Sequence, residues 1–168
     1  MTCLIKLAGI LLLLITSATV GFIESYKLSL RVEQLERFLR FVTTVQSEIQ
    51  FSSIPVRQLI AKHREDMKLL EFCHQYCEEQ QDFPSAWRQA TVKGTKGCGL
   101  QKKDVQMISD FGIALGSTDL AGQAAHCQLT AQLLENQLEM ARQEKGKKAK
   151  LYSMLGIFFG VAMALVIS

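Results

Sequence analysis

Four polar side chains, Asp119, Gln123, His126 and Thr130, recur at spacings of four and three, which lines them along one face of a helix. A carboxylate and an imidazole on one face raise the question of proton transfer. Asp119 and His126 stand two turns apart, however, and no positioned nucleophile accompanies them, so no catalytic residue is assigned. The stripe reads instead as a hydrogen-bond network that fixes helix register, or as a docking surface for another protein. Cys73-His74-Gln75-Tyr76-Cys77 invites a metal reading, but its spacing is Cys-x-x-x-Cys on an apparent helix and no second ligand pair stands at zinc-site spacing. Cys73 and Cys77 are then small buried hydrophobes one turn apart, and Cys127 falls on an apolar seam in the same way. Neither a metal nor any other cofactor is expected. The loop Lys93-Gly94-Thr95-Lys96-Gly97-Cys98-Gly99 frames lysines with glycines, yet no strand pattern precedes it and no hydroxyl follows a Gly-Lys pair, so it is not a phosphate cradle.

The elements that must position these residues all read as helices, and no alternating strand pattern appears. Two seams of heptad type stand out. Leu28, Val32, Leu35, Leu39, Val42, Gln46 and Ile49 form one; Leu120, Ala124, Cys127, Ala131, Leu134, Leu138 and Ala141 form the other. The two helices carrying them are expected to pair antiparallel, with close approach at Ala124, Cys127 and Ala131. Such pairing would bring the Asp119 end of the last helix near Glu48 and Gln50 of the first. Four shorter helices are expected between them, at about 55–63, 66–80, 84–92 and 101–115. Pro55 and Pro84 suit helix starts, Gly116 a helix end, and Asp119 the first turn of the last helix. Core positions would include Leu59, Ile60, Leu69, Leu70, Phe72, Trp87, Val105, Ile108, Phe111 and Leu115. The expected fold is an all-α, membrane-anchored helical bundle with long antiparallel first and last helices.

Membrane anchoring is read from two apolar runs of 17 residues, 7–23 and 151–167. At about 1.5 Å per residue each covers roughly 25 Å, the short end of what spans a bilayer core of about 30 Å. The second holds no ionisable group except Tyr152, which suits the headgroup level. Arg142, Lys145, Lys147, Lys148 and Lys150 crowd its inner flank, and on the first run Lys6 is outweighed by Lys27 and Arg31. Basic residues mark the cytoplasmic side, so the domains are expected as 1–23, a transmembrane helix; 24–150, a cytoplasmic bundle; and 151–168, a second transmembrane helix. Both termini then lie across the membrane. The juxtamembrane lysines point to anionic lipid, and a net charge of only +3 is too small to argue for a nucleic-acid face, so no nucleic-acid partner is expected. Five cysteines fit a reducing compartment, with Cys3 at the first membrane end. The alternative is a signal peptide cleaved near Thr16-Ser17-Ala18, leaving an exported helical binding protein with a C-terminal anchor.

Two motifs carry a resemblance. Glu48-Ile49-Gln50-Phe51-Ser52-Ser53-Ile54-Pro55-Val56 is similar to a Glu-Ile-x-Tyr-x-x-x-Pro-Leu stretch, and Leu115-Gly116-Ser117-Thr118-Asp119 with Gln123 and His126 to Leu-Gly-x-x-Asp-x-x-x-Gln-x-x-His. Both belong to the stage III sporulation protein AB family of endospore-forming bacteria, which this chain resembles over nearly its whole length. Phe51 and Val56 depart mildly from it, while the Gly94 loop and Cys-x-x-x-Cys look particular to this chain. The resemblance implies a non-enzymatic component of the channel joining mother cell to forespore, in the mother-cell membrane facing the forespore. The family also looks like the cytoplasmic domains of type II secretion F proteins, the platform that meets a secretion ATPase. The implied partners are therefore the stage III sporulation protein AA ATPase, other membrane subunits of the same complex and membrane lipid. Glu48, Gln50, Pro55, Gly116, Asp119, Gln123 and His126 would dock the partner or hold the dockable shape.

Overall fold

The chain folds into six helices in a computed structural model that describes residues 2–52, 54–79 and 82–167, with side chains from Thr19 and 23–151 apart from 52–53, 80–81 and 149. They are α1 (Thr2–Ser52), α2 (Val56–Lys62), α3 (Lys68–Glu78), α4 (Phe83–Gly94), α5 (Lys102–Ala114) and α6 (Leu120–Ile167); no strand occurs among the described residues. α1 and α6, of 51 and 48 residues, are about 77 and 72 Å long at 1.5 Å per residue. They pair antiparallel. Arg31 meets Glu144 and Arg142 meets Glu36, so residue numbers across the pair sum to a nearly constant value. The two ends carrying the apolar runs therefore leave the bundle on one side, and α2 to α5 are gathered at the other.

Breaks in the helices follow local chemistry. α1 stops before Ile54-Pro55, because the residue preceding a proline is pushed out of the helical region. Asp82 caps α4 by accepting a hydrogen bond from the Ser85 backbone N–H at 3.1 Å, with Pro84 in the first turn. Hydrogen bonding with the Ser85 side chain, and then with its backbone N–H, holds the exposed Asp82 carboxyl below its usual range. The four short helices match the sequence reading to within about two residues. Asp66 and Gly94 are the main shifts: Asp66 lies in the turn before α3, and Gly94, expected in a loop, closes α4 against Leu69, where an added Cβ would stand 2.6 Å from the Leu69 Cα.

The core is built on aromatic rings. Phe38 meets Phe111 edge-on at 5.6 Å between centroids, and Trp87 lies 6.1 Å from Phe111 and 6.4 Å from Phe41. The Trp87 Nε1–H donates to the Ile108 carbonyl at 2.9 Å. Its ring lies directly against Gly112 of α5, and a Cβ there would fall within 2.1 Å of it. Around this cluster Leu59, Ile60, Leu69, Leu70, Ile108 and Leu115 are buried as expected, while Phe72 and Val105 are half-buried. The α1 seam is broader than its heptad reading, because Phe38, Phe41 and Val45 are buried beside Leu35, Val42 and Ile49. Leu120, placed on the α6 seam by spacing, is 52% exposed because it begins the helix beyond the reach of α1.

Among the described residues no helix is long and apolar enough to cross a membrane. Of the runs 7–23 and 151–167, almost all side chains lie outside the described ones. Backbone helix nevertheless runs unbroken through both, from the second run into the bundle through Gly146.

Candidate functional site

Pro55, Gly116, Asp119, Gln123 and His126 gather where the second motif folds into the α5–α6 turn. α5 ends at Ala114, Leu115 takes an extended conformation, and Gly116 turns the chain with φ +84°, a left-handed value that favours glycine. Asp119 immediately precedes α6. Its Oδ1 accepts the Gly122 N–H at 2.9 Å, so it is the cap of α6 and not a first-turn residue. Gln123 Nε2 donates back to the Thr118 carbonyl at 2.8 Å. His126 stacks on Phe111 with 5.4 Å between ring centroids and an angle of 12°, and its Nε2–H donates to the Phe111 carbonyl at 3.1 Å. Three motif side chains thus hold one turn and its junction with α5.

Glu48 and Gln50 do not join that stripe, which corrects the proximity expected from antiparallel pairing. Glu48 points to the turn after α2. Its Oε1 is bound by Lys62 Nζ and lies 3.2 Å from His63 Nε2, while His63 Nδ1 lies 2.9 Å from Asp66 Oδ2. The Lys62 hydrogen bond, with His63 adding to it, holds the Glu48 carboxyl below its ordinary value. Gln50 and the neighbouring Phe51 are exposed, Phe51 at 86%. A cleft of about 340 Å³ beside His63, lined by Arg37, Arg40, Phe41, Thr44 and Asp66, mixes both signs of charge.

The two motifs do meet at the α5–α6 turn, through Pro55. Pro55 and Val56 of the first stand across from Leu115, Gly116 and Ser117 of the second, with Phe83, Pro84 and Ile113 completing an apolar groove of about 320 Å³. A Cβ on Gly116 would touch Val56 Cγ2 at 3.5 Å. Arg57 borders the groove and donates from Nη1 to the Cys77 carbonyl at 3.0 Å, tying α2 to the end of α3. The groove sits at the end of the bundle away from the apolar runs.

Sequence reasoning missed the buried ion pair. Arg31, assigned only a topological role, is 3% exposed, and Asp104, on the first turn of α5, is fully buried. Arg31 Nε and Nη2 donate to the two Asp104 oxygens at 2.7 and 3.1 Å. Gln137 Nε2 donates to Oδ1 at 3.0 Å, the Gln101 backbone N–H to Oδ2 at 2.8 Å, and Arg31 Nη1 reaches Glu144 at 2.9 Å. The available signal was a second stepping of α1 by three and four, Leu28, Arg31, Leu35, Phe38, Val42, Val45 and Ile49, in which Arg31 is the one charge.

Cys73, Cys77 and Cys127 are buried, and burial pushes all three thiols up, Cys127 to about 11. Among the described residues no three His, Cys, Asp or Glu side chains are grouped to hold a metal ion.

Residues 6–168 match the family described as Stage III sporulation protein AB. The chain belongs to this family. It is 24% identical over 170 residues to the Stage III sporulation protein AB of Bacillus subtilis (strain 168), covering 98% of this chain and 99% of the relative. A solved structure of a Stage III sporulation protein AB superposes with a TM-score of 0.64 at 20% identity, covering 70% of this chain and 98% of the solved one. The last agreement concerns the fold alone, and membership of the family ties the chain to a sporulation role.

Proposed function

We propose that this protein is a non-enzymatic membrane component of the mother cell–forespore channel, and that its helical domain is a platform for the cognate sporulation ATPase. Residues 1–23 and 151–168 span the mother-cell membrane facing the forespore, residues 24–150 lie in the cytoplasm, and other membrane subunits pack beside the spans. The observation that carries this reading is the apolar groove where Pro55-Val56 meets Leu115-Gly116-Ser117, because it uses both motifs that mark the family and opens away from the membrane ends. An apolar groove with a polar rim is the form that anchors a partner's side chain. Asp119, Gln123 and His126 act beneath it by holding the turn that forms one wall. Lys145, Lys147, Lys148 and Lys150 at the other end face anionic headgroups.

The test is photo-crosslinking in sporulating cells from Ser117, at the groove, and from Glu33, exposed on α1 far from it, in chains also tagged for topology. A cytoplasmic domain, an intact N-terminus and an ATPase adduct from position 117 alone support the platform. Equal adducts from both positions, or none from 117 in a correctly inserted chain, sink the groove as the docking site. An external domain sinks the whole reading.

A further inference from the structure

The side of α6 turned away from the bundle carries a second seam. Leu129, Leu133 and Met140 are 56%, 47% and 48% exposed, although α6 already buries Cys127, Leu134 and Leu138 on its inner side. With Asn136 and Gln143 they step by four, three, four and three, so all five fall within about 80° of arc at 100° per residue. Exposed large apolar residues repeated in this way mark an interaction face.

We infer that this outer seam of α6 pairs with the same seam of a second copy, the two α6 helices running parallel. The inference rests on the membrane-anchored reading, since α6 continues unbroken to Ile167 and copies held in one membrane by that run must point the same way. Charge argues for a second copy over a different partner. About a parallel two-fold axis each seam residue faces its own counterpart, so any charge would meet its like. In a chain with 21% charged residues, the seam itself holds none, and its flank at Ala125, Gln132 and Glu139 holds one, Glu139, while Glu135 and Arg142 fall on the face beyond that flank. Glu139 accepts a hydrogen bond from Gln143 at 3.1 Å, and the residue it would approach in the partner, Glu144, is already neutralised by Arg31 at 2.9 Å and Lys148 at 3.6 Å. Asn136 sits mid-seam, where Asn facing Asn fixes register at a cost in affinity. The seam is short, so pairing depends on the high effective concentration that tethering supplies.

The full chain in lipid vesicles, with Cys3 and Cys98 replaced by Ser and the buried Cys73, Cys77 and Cys127 kept, would carry one added, exposed cysteine at position 133, 140 or 135 and be oxidised mildly. A product at twice 18.8 kDa from 133 and 140, with little from 135 on another face, is expected. Leu133→Glu combined with Met140→Cys should lower the product about tenfold or more while leaving helical content unchanged. Membrane-inserted chain that gives no product at 133 and 140, or as much at 135, overturns the pairing and leaves the membrane reading standing. Adducts only to other proteins, when the assay is repeated in cell membranes, overturn it too. Chain absent from the vesicle pellet refutes the anchoring and, with it, the parallel pairing built on it.

Discussion

Asp104→Ala should be among the most damaging single substitutions in the helical domain. The change removes the acceptor of four hydrogen bonds, two from Arg31, one from Gln137 and one from the Gln101 backbone, all converging on a carboxylate with no exposed surface. Breaking a buried pair by deleting one partner costs about 3–5 kcal/mol, because the other charge stays desolvated. Two facts set the position in that range. Glu144, 37% exposed, still holds Arg31 Nη1 and keeps part of the compensation, which lowers the cost; Gln137 is orphaned in a buried site, which raises it by about 1–3 kcal/mol. The expectation is therefore about 4 kcal/mol, or roughly 8–16 °C in Tm at about 2–4 °C per kcal/mol for a chain of this size. Thermal unfolding of the full chain in detergent, followed by circular dichroism, reads it directly. Arg31→Met with Asp104→Leu should recover at least half of the loss, since replacing both charges with apolar groups removes the desolvation penalty. A single-variant loss below about 1 kcal/mol would refute the reasoning, and a double variant worse than the single one would refute the account of why the loss occurs.

Gly116→Ala forces a left-handed conformation on a side-chain-bearing residue and should cost about 1–2 kcal/mol, measured by the same unfolding assay, while adding a methyl against Val56 at the groove wall. Gly112→Ala meets the Trp87 ring itself and should cost more, about 2–4 kcal/mol, with a red-shifted tryptophan emission as Trp87 is displaced. Glu48 has a folded-state value below its ordinary 4.5, so its contribution is present above about pH 4.5 and disappears as pH falls through the lower folded value; Glu48→Gln should weaken the protein at neutral pH and flatten the loss on its acid side, read from urea midpoints between pH 3 and 7. Maleimide at neutral pH should modify Cys98 well before Cys73, Cys77 or Cys127, whose thiols are buried and raised, and mass mapping of the early product checks this.

Helical class, the pairing of α1 with α6 and the four short helices were legible because each rests on local signals: heptad spacing, a capping Asp82, prolines at helix starts, a glycine at the end of α5. What could not be read is what depends on orientation about a helix axis. Spacing placed Leu39 and Val32 on the same seam as Leu35, but packing by α4 and α5 turned the Phe38–Phe41 side inward as well. The same rotation sends Glu48 toward Lys62 and His63 and away from the face that carries Asp119. Asp104 was invisible for a different reason. A carboxylate in a first helical turn is an ordinary capping residue, and only the arrival of Arg31 from 73 positions away turns it into a buried ionic junction.

Each of Asp119, Gln123 and His126 makes one hydrogen bond within the chain, and those bonds hold the turn beside the groove. Asp119 gives an oxygen to Gly122, Gln123 its amide to Thr118, and His126 its ring N–H to Phe111. Beside them lies the shape they support, an apolar groove bounded by Val56, Phe83, Pro84 and Ile113, which the platform reading proposed above takes as the docking site. A partner that seats there does so by burying an apolar side chain, worth about 1.5–3 kcal/mol for a residue the size of leucine or phenylalanine. Alanine at Asp119 or Gln123 should then lower stability and affinity together, because the wall and its foundation fail as one. Ser117→Trp, at an exposed position on the groove wall, should block ATPase capture while leaving the unfolding temperature unchanged within about 2 °C. If Ser117→Trp binds as well as the unaltered chain while Asp119→Ala loses binding at full stability, the partner touches the polar stripe itself, and the groove is no more than a crease in the surface.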